Sequence, residues 1–223
     1  MKINELRKFF EFYGPLDEGE VTAVVLLARK KYAPELLKSE RTIDYLLLRG
    51  PMDVETMERF TRVFIEKYTR GPVFTKSGFE VPPHALSFSI LTSPVLKRHV
   101  AKRYTVKVVT QSLDEQYDTI LNAKWQLLSA IMETKGKRHI LFDIDVPGKE
   151  GLDIAKEIAE NLPGPNLLIE THGGYHLLMK RGEWLRGLAN YKPPKEVEWK
   201  NIVMTALPET PRGGKIVRIV GGV

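Results

Sequence analysis

The chain has 223 residues, 43% of them hydrophobic and 28% charged, which is the composition of an ordinary globular protein. It contains no cysteine, which excludes disulfides and cysteine-type zinc sites and fits a reducing, cytoplasmic setting. The formal net charge of +6 suits an anionic partner such as nucleic acid, and no apolar run is long enough to predict a membrane partner.

Apolar residues recur at helical spacing through most of the first 72 residues. The helices predicted from this spacing cover residues 6–13, 20–32, 39–48 and 53–68. Asp53 is the expected N-cap of the last helix, because a carboxylate there accepts a hydrogen bond from a free backbone N–H group. We therefore predict a helical N-terminal portion at residues 1–72 and a separate core at residues 73–223.

After residue 72 the pattern changes to short stretches in which apolar and polar residues alternate, which predicts strands. These strands are expected at residues 73–75, 86–91 and 104–110, followed by a long helix at 118–134. A basic cluster lies between the second and third strands and consists of Lys97, Arg98, Lys102 and Arg103. It is either a patch that contacts nucleic-acid phosphates or a solvated face.

An apolar strand beginning at Arg138 contains two carboxylates, Asp143 and Asp145. Residues two apart in a strand point to the same face, so these acids are expected side by side. Like charges at that spacing repel unless a cation lies between them. Mg²⁺ prefers hard oxygen ligands and often uses one or two carboxylates together with substrate phosphates. The pair therefore indicates a site for Mg²⁺ or Mn²⁺.

The residues that follow predict a β-α-β-turn-β arrangement. A helix is expected at 152–162 and a strand at 167–169, and His176 opens the next strand after the pair Gly173-Gly174. Glycines allow a sharp turn and let backbone amides approach an anion closely. The whole segment is a plausible site for a metal-bound triphosphate.

These residues resemble the motifs of the archaeo-eukaryotic primase superfamily. Its first motif is an apolar strand with Asp-x-Asp, matched by Phe142-Asp143-Ile144-Asp145. Its second is close to Ser-Gly-x-Gly-x-His, matched by residues 171–176, with Thr171 in place of Ser and His172 in place of the first Gly. The order of the motifs and the spacing between them also fit.

The resemblance implies an α/β (α+β) fold: a primase-like core of mixed or antiparallel sheets, flanked by helices, in which an RRM-like βαβ unit carries the acids. It implies a template-dependent nucleotidyltransferase that uses a divalent metal, nucleoside triphosphates and DNA, single-stranded or as primer-template, with a large subunit or replisome protein as a further partner. Asp143 and Asp145 would hold the metal. The residues implied in nucleotide binding are Thr171, Gly173, Gly174, His176, Arg212 and Lys215.

The chain departs from the family where a third metal-binding acid is expected, near Lys200. No aspartate follows Asp153, and Glu198 would substitute only if the strand register shifts by two residues. Pro208-Glu209-Thr210 stands where the family has a loop like Pro-Gly-Ser. Two alternatives stay open: a primase-like accessory protein that binds nucleic acid without polymerising, and a phosphatase of the haloacid-dehalogenase type, which also begins with Asp-x-Asp.

Overall fold

The computed structural model describes residues 4–162, 164–182, 185–188, 191–199 and 203–221. Within these ranges the chain has an α+β fold, as predicted, with antiparallel strands in two main sheets and helices on their faces. No helix in these ranges is both long and apolar enough to cross a bilayer.

The helices are α1 (Glu5–Tyr13), α2 (Val54–Thr69), α3 (Lys97–Leu113), α4 (Tyr117–Leu121), α5 (Ala123–Glu133), α6 (Gly148–Asn161) and α7 (Leu185–Leu188), with 3₁₀ turns at Lys30–Tyr32 and Pro83–Ala85. The strands are β1 (Glu20–Ala28), β2 (Arg41–Arg49), β3 (Val73–Phe74), β4 (Glu80–Val81), β5 (Leu86–Leu91), β6 (Val95–Leu96), β7 (His139–Ile144), β8 (Asn166–Glu170), β9 (Tyr175–Lys180), β10 (Val197–Glu198), β11 (Met204–Ala206), β12 (Pro211–Arg212), β13 (Lys215–Ile216) and β14 (Arg218–Gly221).

The larger sheet has the strand order β13-β12-β5-β1-β2, with β11 on β5 and β6 on β1. All nine residues of β1 are buried. Val24 and Leu26 belong to an apolar cluster with α1 and α2, whereas Ala23 and Val25 belong to a second cluster with α5. Helices therefore cover this sheet on both faces.

The helices predicted at residues 20–32 and 39–48 are wrong, because β1 and β2 occupy those positions. β1 is buried throughout, and such a strand lacks alternation, so periodicity does not distinguish it from a helix; β2 is only partly buried, but its apolar run Tyr45–Leu48 does not alternate either. The other two N-terminal helices are confirmed, and the Asp53 carboxylate accepts a hydrogen bond of 2.7 Å from the Thr56 amide. Strands from both sides of residue 72 share the larger sheet, because β1 pairs with β5.

The strand predicted at residues 104–110 is also wrong, because these residues lie inside α3. Their apolar–polar alternation does not face a sheet, and α3 packs instead along α5. Lys107 illustrates this contact: its ammonium group lies 2.5 Å from the Glu133 carboxylate and 3.0 Å from the Ser129 hydroxyl. The helix predicted at 118–134 is present but divided at Asn122 into α4 and α5.

The smaller sheet has the order β10-β7-β9-β8-β14. β7, α6, β8 and β9 follow one another as the predicted β-α-β-turn-β arrangement, with β9 antiparallel between β7 and β8. Ala155 and Ile158 of α6 pack on one face of this sheet. On the other face, Leu141 and Leu178 join the core beneath α1.

The two sheets meet along β7 and β9. The Ser93 hydroxyl, just after β5, accepts a hydrogen bond of 2.7 Å from the His139 amide at the start of β7. Near the other end of β7, His176 of β9 contacts Thr205 of β11. This junction brings side chains of the larger sheet over the strand that carries the acids.

Some predictions fall on residues outside the described ranges. The sequence also predicts a short helix at residues 182–186; Glu183 and Trp184 lie outside the described ranges, and α7 begins at Leu185. Lys200, near which the family places a third acid, also lies outside the described residues.

Candidate active site

The two acids of the first motif lie at the end of β7. Asp143 is inside the strand and its side chain is 29% exposed, whereas Asp145 follows the strand and is exposed. The Asp145 amide donates a hydrogen bond of 3.3 Å to the Glu196 carbonyl, which ties the end of β7 to the segment before β10. The charge of Asp145 acts on Asp143 and raises its pKa, so the two carboxylates lie close together.

Two further polar side chains flank Asp143 on the neighbouring strands. His176 of β9 is its partner on one side, and Glu198 of β10 is its partner on the other. Directly opposed residues in antiparallel strands have Cβ atoms about 5 Å apart and share a face. Glu198 therefore lies beside Asp143 without any shift of register, and a row of acid, acid and imidazole crosses the sheet.

The hydrogen bonds of His176 define which ring nitrogen carries a proton. The Ala206 amide donates to Nδ1 over 3.1 Å, so Nδ1 is an acceptor and the proton of the neutral ring is on Nε2. Nε2 lies 3.4 Å from the Asp143 carboxylate but makes no hydrogen bond in the described structure. Burial, and then the positive charges of Arg212 and Lys31, hold the pKa of His176 well below its usual value. The ring is therefore a neutral donor aimed toward the acids.

The carboxyl group of Asp143 is unusually hard to ionise. Burial and the neighbouring Asp145 raise its pKa to about 6, although Arg212 and Lys31 act in the opposite direction. A group of this kind gains most from a cation placed between the two carboxylates. The raised pKa of Asp143 is the observation that fits a metal ion here.

Basic side chains of the larger sheet face these acids. Arg212 of β12 is 7% exposed, and its Nε donates to the Tyr32 hydroxyl over 3.4 Å. Lys31 and Arg29 come from the segment that follows β1, and both depress the pKa of His176. The sequence prediction included Arg212 but missed the other residues, because residues 20–32 were assigned to a helix remote from the core.

Thr171 and Gly174 close the turn between β8 and β9. The Thr171 amide and hydroxyl contact the Gly174 carbonyl at 2.8 and 3.2 Å. A Cβ atom on Gly174 would lie 1.9 Å from the Ile144 carbonyl oxygen, whereas a Cβ on Gly173 would meet nothing within 4 Å. Gly174 is therefore required for close packing against the acid strand, and Gly173 is not.

The remaining predicted nucleotide-binding residue, Lys215, is exposed on β13 and pairs in register with Arg212. It lines a depression of about 270 Å³ that also includes Thr171, Glu170 and Arg218. Lys215 thus lies on the same side of the molecule as the glycine turn. Gly213, in the turn between β12 and β13, brings this hairpin close to His172 and Tyr32. The rings of His172 and Tyr32 meet edge to face with their centroids 5.3 Å apart.

The predicted phosphate-contacting cluster is remote from the acids. Leu96, just before α3, pairs with Glu20 at the start of β1. Arg29 follows the other end of this strand, about 30 Å from Glu20 at 3.3 Å per residue. The Lys97 ammonium group binds the carbonyls of Glu18 and Gly50, and Arg103 lies 3.7 Å from Glu133. The other two members of the cluster, Arg98 and Lys102, are exposed.

Within the described residues, no three His, Asp or Glu side chains are arranged to hold a metal ion. Asp143 and Asp145 nevertheless offer the carboxylate oxygens that Mg²⁺ and Mn²⁺ prefer, and Glu198 is next to Asp143. Such a pair is sufficient when substrate phosphates and water complete the coordination.

The comparisons with known proteins give no further guidance. No protein-family model, no curated protein and no solved structure matches this chain. The chemistry of the site has to be judged from its own residues.

Proposed function

We propose that this protein is a template-dependent nucleotidyltransferase of the primase or primase-polymerase type, acting on nucleoside triphosphates and DNA. The observation that carries the proposal is the row formed by Asp143, His176 and Glu198, with Asp145 beside it. This row combines carboxylates for a divalent ion with a neutral donor for a phosphate oxygen. The facing cations, Arg212 and Lys31, favour a polyanionic substrate.

Asp143 and Asp145 would hold Mg²⁺ or Mn²⁺, with Glu198 as the third carboxylate. Such an ion supplies charge neutralisation and Lewis acidity at the transferred phosphoryl group. The Nε2–H group of His176 makes no hydrogen bond within the described part of the chain and would donate to the triphosphate. Arg212 would compensate the charge of the phosphates from the opposite sheet.

The glycine turn and the neighbouring hairpin would bind the outer part of the triphosphate. Thr171, Gly173 and Gly174 form the turn beside the acid strand, and Lys215 lines the adjacent depression. Gly173 is half-buried with open space beside it, which leaves room for a phosphate to approach the backbone. Lys215 is exposed and would contribute charge without a fixed contact.

A second candidate function is a nucleic-acid-binding accessory protein that binds nucleotide without turnover. The observation that favours it is the lack of a ready group of three metal ligands in the described part of the chain. Two-ion phosphoryl transfer needs enough anionic ligands for both ions. In either case the cysteine-free composition favours action in the cytoplasm, and a further replication protein is a plausible partner.

Primer extension distinguishes these functions. The wild-type protein is incubated with a primed DNA template, nucleotides and Mg²⁺ or Mn²⁺, beside an Asp143→Asn, Asp145→Asn double variant. We expect the double variant to lose activity by about 1,000-fold, because metal stabilisation of the transition state is worth several kcal/mol. The matched control is Asp153→Asn, an exposed aspartate on α6, which should retain activity.

Three results decide the matter. Extension by the wild type and the control but not by the double variant supports the polymerase. Equal extension by all three proteins contradicts the assignment of Asp143 and Asp145 as metal ligands. Nucleotide binding without extension, with either metal and with either ribo- or deoxynucleotides, favours the accessory function.

A further inference from the structure

A second charged surface lies along β2, the open edge of the larger sheet. Two adjoining depressions of about 660 and 470 Å³ run beside this strand and share Ile43, Lys76 and Trp125. Their walls come from the end of α2, the β3–β4 hairpin and the start of α5. We call this continuous depression the edge groove. It is separate from the row of acids on the smaller sheet.

The edge groove is basic. Its lining contains four cations and one acid, Asp44; the cations are Arg41, Lys67, Lys76 and Lys124. The Asp44 carboxylate is already engaged, at 2.5 Å by Lys124 and at 3.4 Å by Lys67. Arg41 and Lys76 are exposed and form no ion pair within the described residues. The groove therefore retains positive charge that the fold itself does not use.

Aromatic rings alternate with these cations. The Trp125 ring lies 4.7 Å from the Lys76 ammonium group and 5.5 Å from that of Lys124. Phe74, on the β3–β4 hairpin, lines the same groove with 52% of its surface exposed. An exposed Phe ring and a half-buried Trp ring beside lysines provide stacking surfaces for bases and counter-charges for phosphates.

We propose that the edge groove binds single-stranded nucleic acid. Double-stranded DNA keeps its base faces stacked inside the helix, so exposed rings would gain little from it. An acidic peptide would use the cations but not the rings. A single strand uses both, because each base presents a flat face and each linkage carries a negative charge. A base that stacks on Trp125 would displace Lys76, whose ammonium group is then available to a phosphate.

The groove leads toward the candidate active site. Arg41 is paired in register with Ala28, the last residue of β1, and Glu40 lies 2.5 Å from Arg29. The segment after Arg29 carries Lys31, which faces the acids. A strand in the edge groove would thus reach the site of nucleotide transfer, and the groove would serve as a path for the template. That role rests on the proposed function, whereas binding rests on the groove alone.

Binding is measured by the fluorescence anisotropy of labelled oligo-dT and oligo-U, without nucleotides or metal. Charge reversal by Arg41→Glu with Lys76→Glu should weaken binding at least tenfold and reduce the slope of log affinity against log salt by about 2. Phe74→Ala should weaken it about fivefold through lost stacking. The matched control is Arg98→Glu with Lys102→Glu on α3, which makes the same charge change on another exposed surface and should change affinity less than twofold.

Four outcomes would overturn the proposal: no binding of either oligonucleotide at low salt, an equal loss in the control variant, equal affinity for a duplex of the same length, or poly-glutamate binding as tightly as oligo-dT. All the substituted residues are exposed, and circular dichroism checks that each variant is folded. Oligo-dT binding in the groove by a wild-type protein that does not extend primers would refute the polymerase function while supporting the groove.

Discussion

Two aspartates, each on a strand and each mostly buried, have pKa values that are shifted in opposite directions. The side chain of Asp44 on β2 is 17% exposed, and that of Asp143 on β7 is 29% exposed. Burial raises the pKa of both. At Asp44 the hydrogen bonds from Lys124 and Tyr68 more than offset burial, and the pKa falls to about 2. At Asp143 the charge of Asp145 adds to burial, and the pKa rises to about 6.

The difference separates a structural acid from a candidate functional one. The fold supplies partners for the charge of Asp44, so ionisation stabilises the native state. Around Asp143, burial and the neighbouring Asp145 outweigh the positive charges of Arg212 and Lys31, so ionisation destabilises the native state. Groups that are perturbed by burial and by a like charge in a cleft are typical of active sites. We infer that the stability lost at Asp143 is recovered when a cation binds.

The largest change in the free energy of unfolding is expected from a substitution that displaces β7, the strand that carries Asp143. Alanine at position 174 would place its Cβ atom 1.9 Å from the Ile144 carbonyl oxygen, which cannot move without shifting the end of β7. We expect Gly174→Ala to lower the free energy of unfolding by about 3 kcal/mol. Urea denaturation measures the loss, and primer extension should fall as the acids move apart.

The neighbouring glycine provides the control. A Cβ atom at position 173 meets nothing within 4 Å, so Gly173→Ala should change stability by less than about 0.5 kcal/mol. Equal destabilisation by the two substitutions would contradict the close packing of the turn against β7.

The comparison of the two aspartates is tested directly by removing each charge. With chelator present at pH 7, Asp143→Asn should raise the free energy of unfolding by about 2 kcal/mol, because the ionised carboxylate is unfavourable in the fold. Asp44→Asn should lower it by about 1 kcal/mol, since its ion pairs are partly screened by solvent. Denaturation of both variants against the wild type measures the two changes, and changes of the same sign would contradict the distinction.

The pH dependence of the free energy of unfolding should also distinguish Asp143 from Asp44. The raised pKa of Asp143 gives a stabilising contribution that is complete below about pH 4 and is lost as the pH rises through about 6. The lowered pKa of Asp44 gives a contribution that is present above about pH 4 and is lost as the pH falls toward 2. Each asparagine variant should lack the corresponding slope in a plot of stability against pH.

The sequence predicted the acid-bearing unit far better than the strands that face it. The β-α-β-turn-β arrangement was recognisable because a short helical repeat and the two acids mark its elements. Residues 20–49 gave no such signal, because the fully buried β1 lacks alternation and the apolar run of β2, Tyr45–Leu48, does not alternate either. Arg29 and Lys31 follow the first of those strands, so the prediction missed them. The position of Glu198 beside Asp143 depends on strand register, which has no local signature.

Glu209 belongs with Asp44 as an acid whose charge the fold uses. Its backbone has a positive φ of 61°, a conformation that favours glycine. Its carboxylate accepts hydrogen bonds from the Glu5 and Leu6 amides at the start of α1 and lies 3.1 Å from Arg62. Glu209→Gly removes both the strain and these contacts, whereas Glu209→Ala keeps the strain and loses the contacts. We expect both to be destabilising, by about 1 kcal/mol for glycine and more for alanine. A glycine variant more stable than the wild type in urea would show that the backbone strain outweighs the contacts that Glu209 makes with α1.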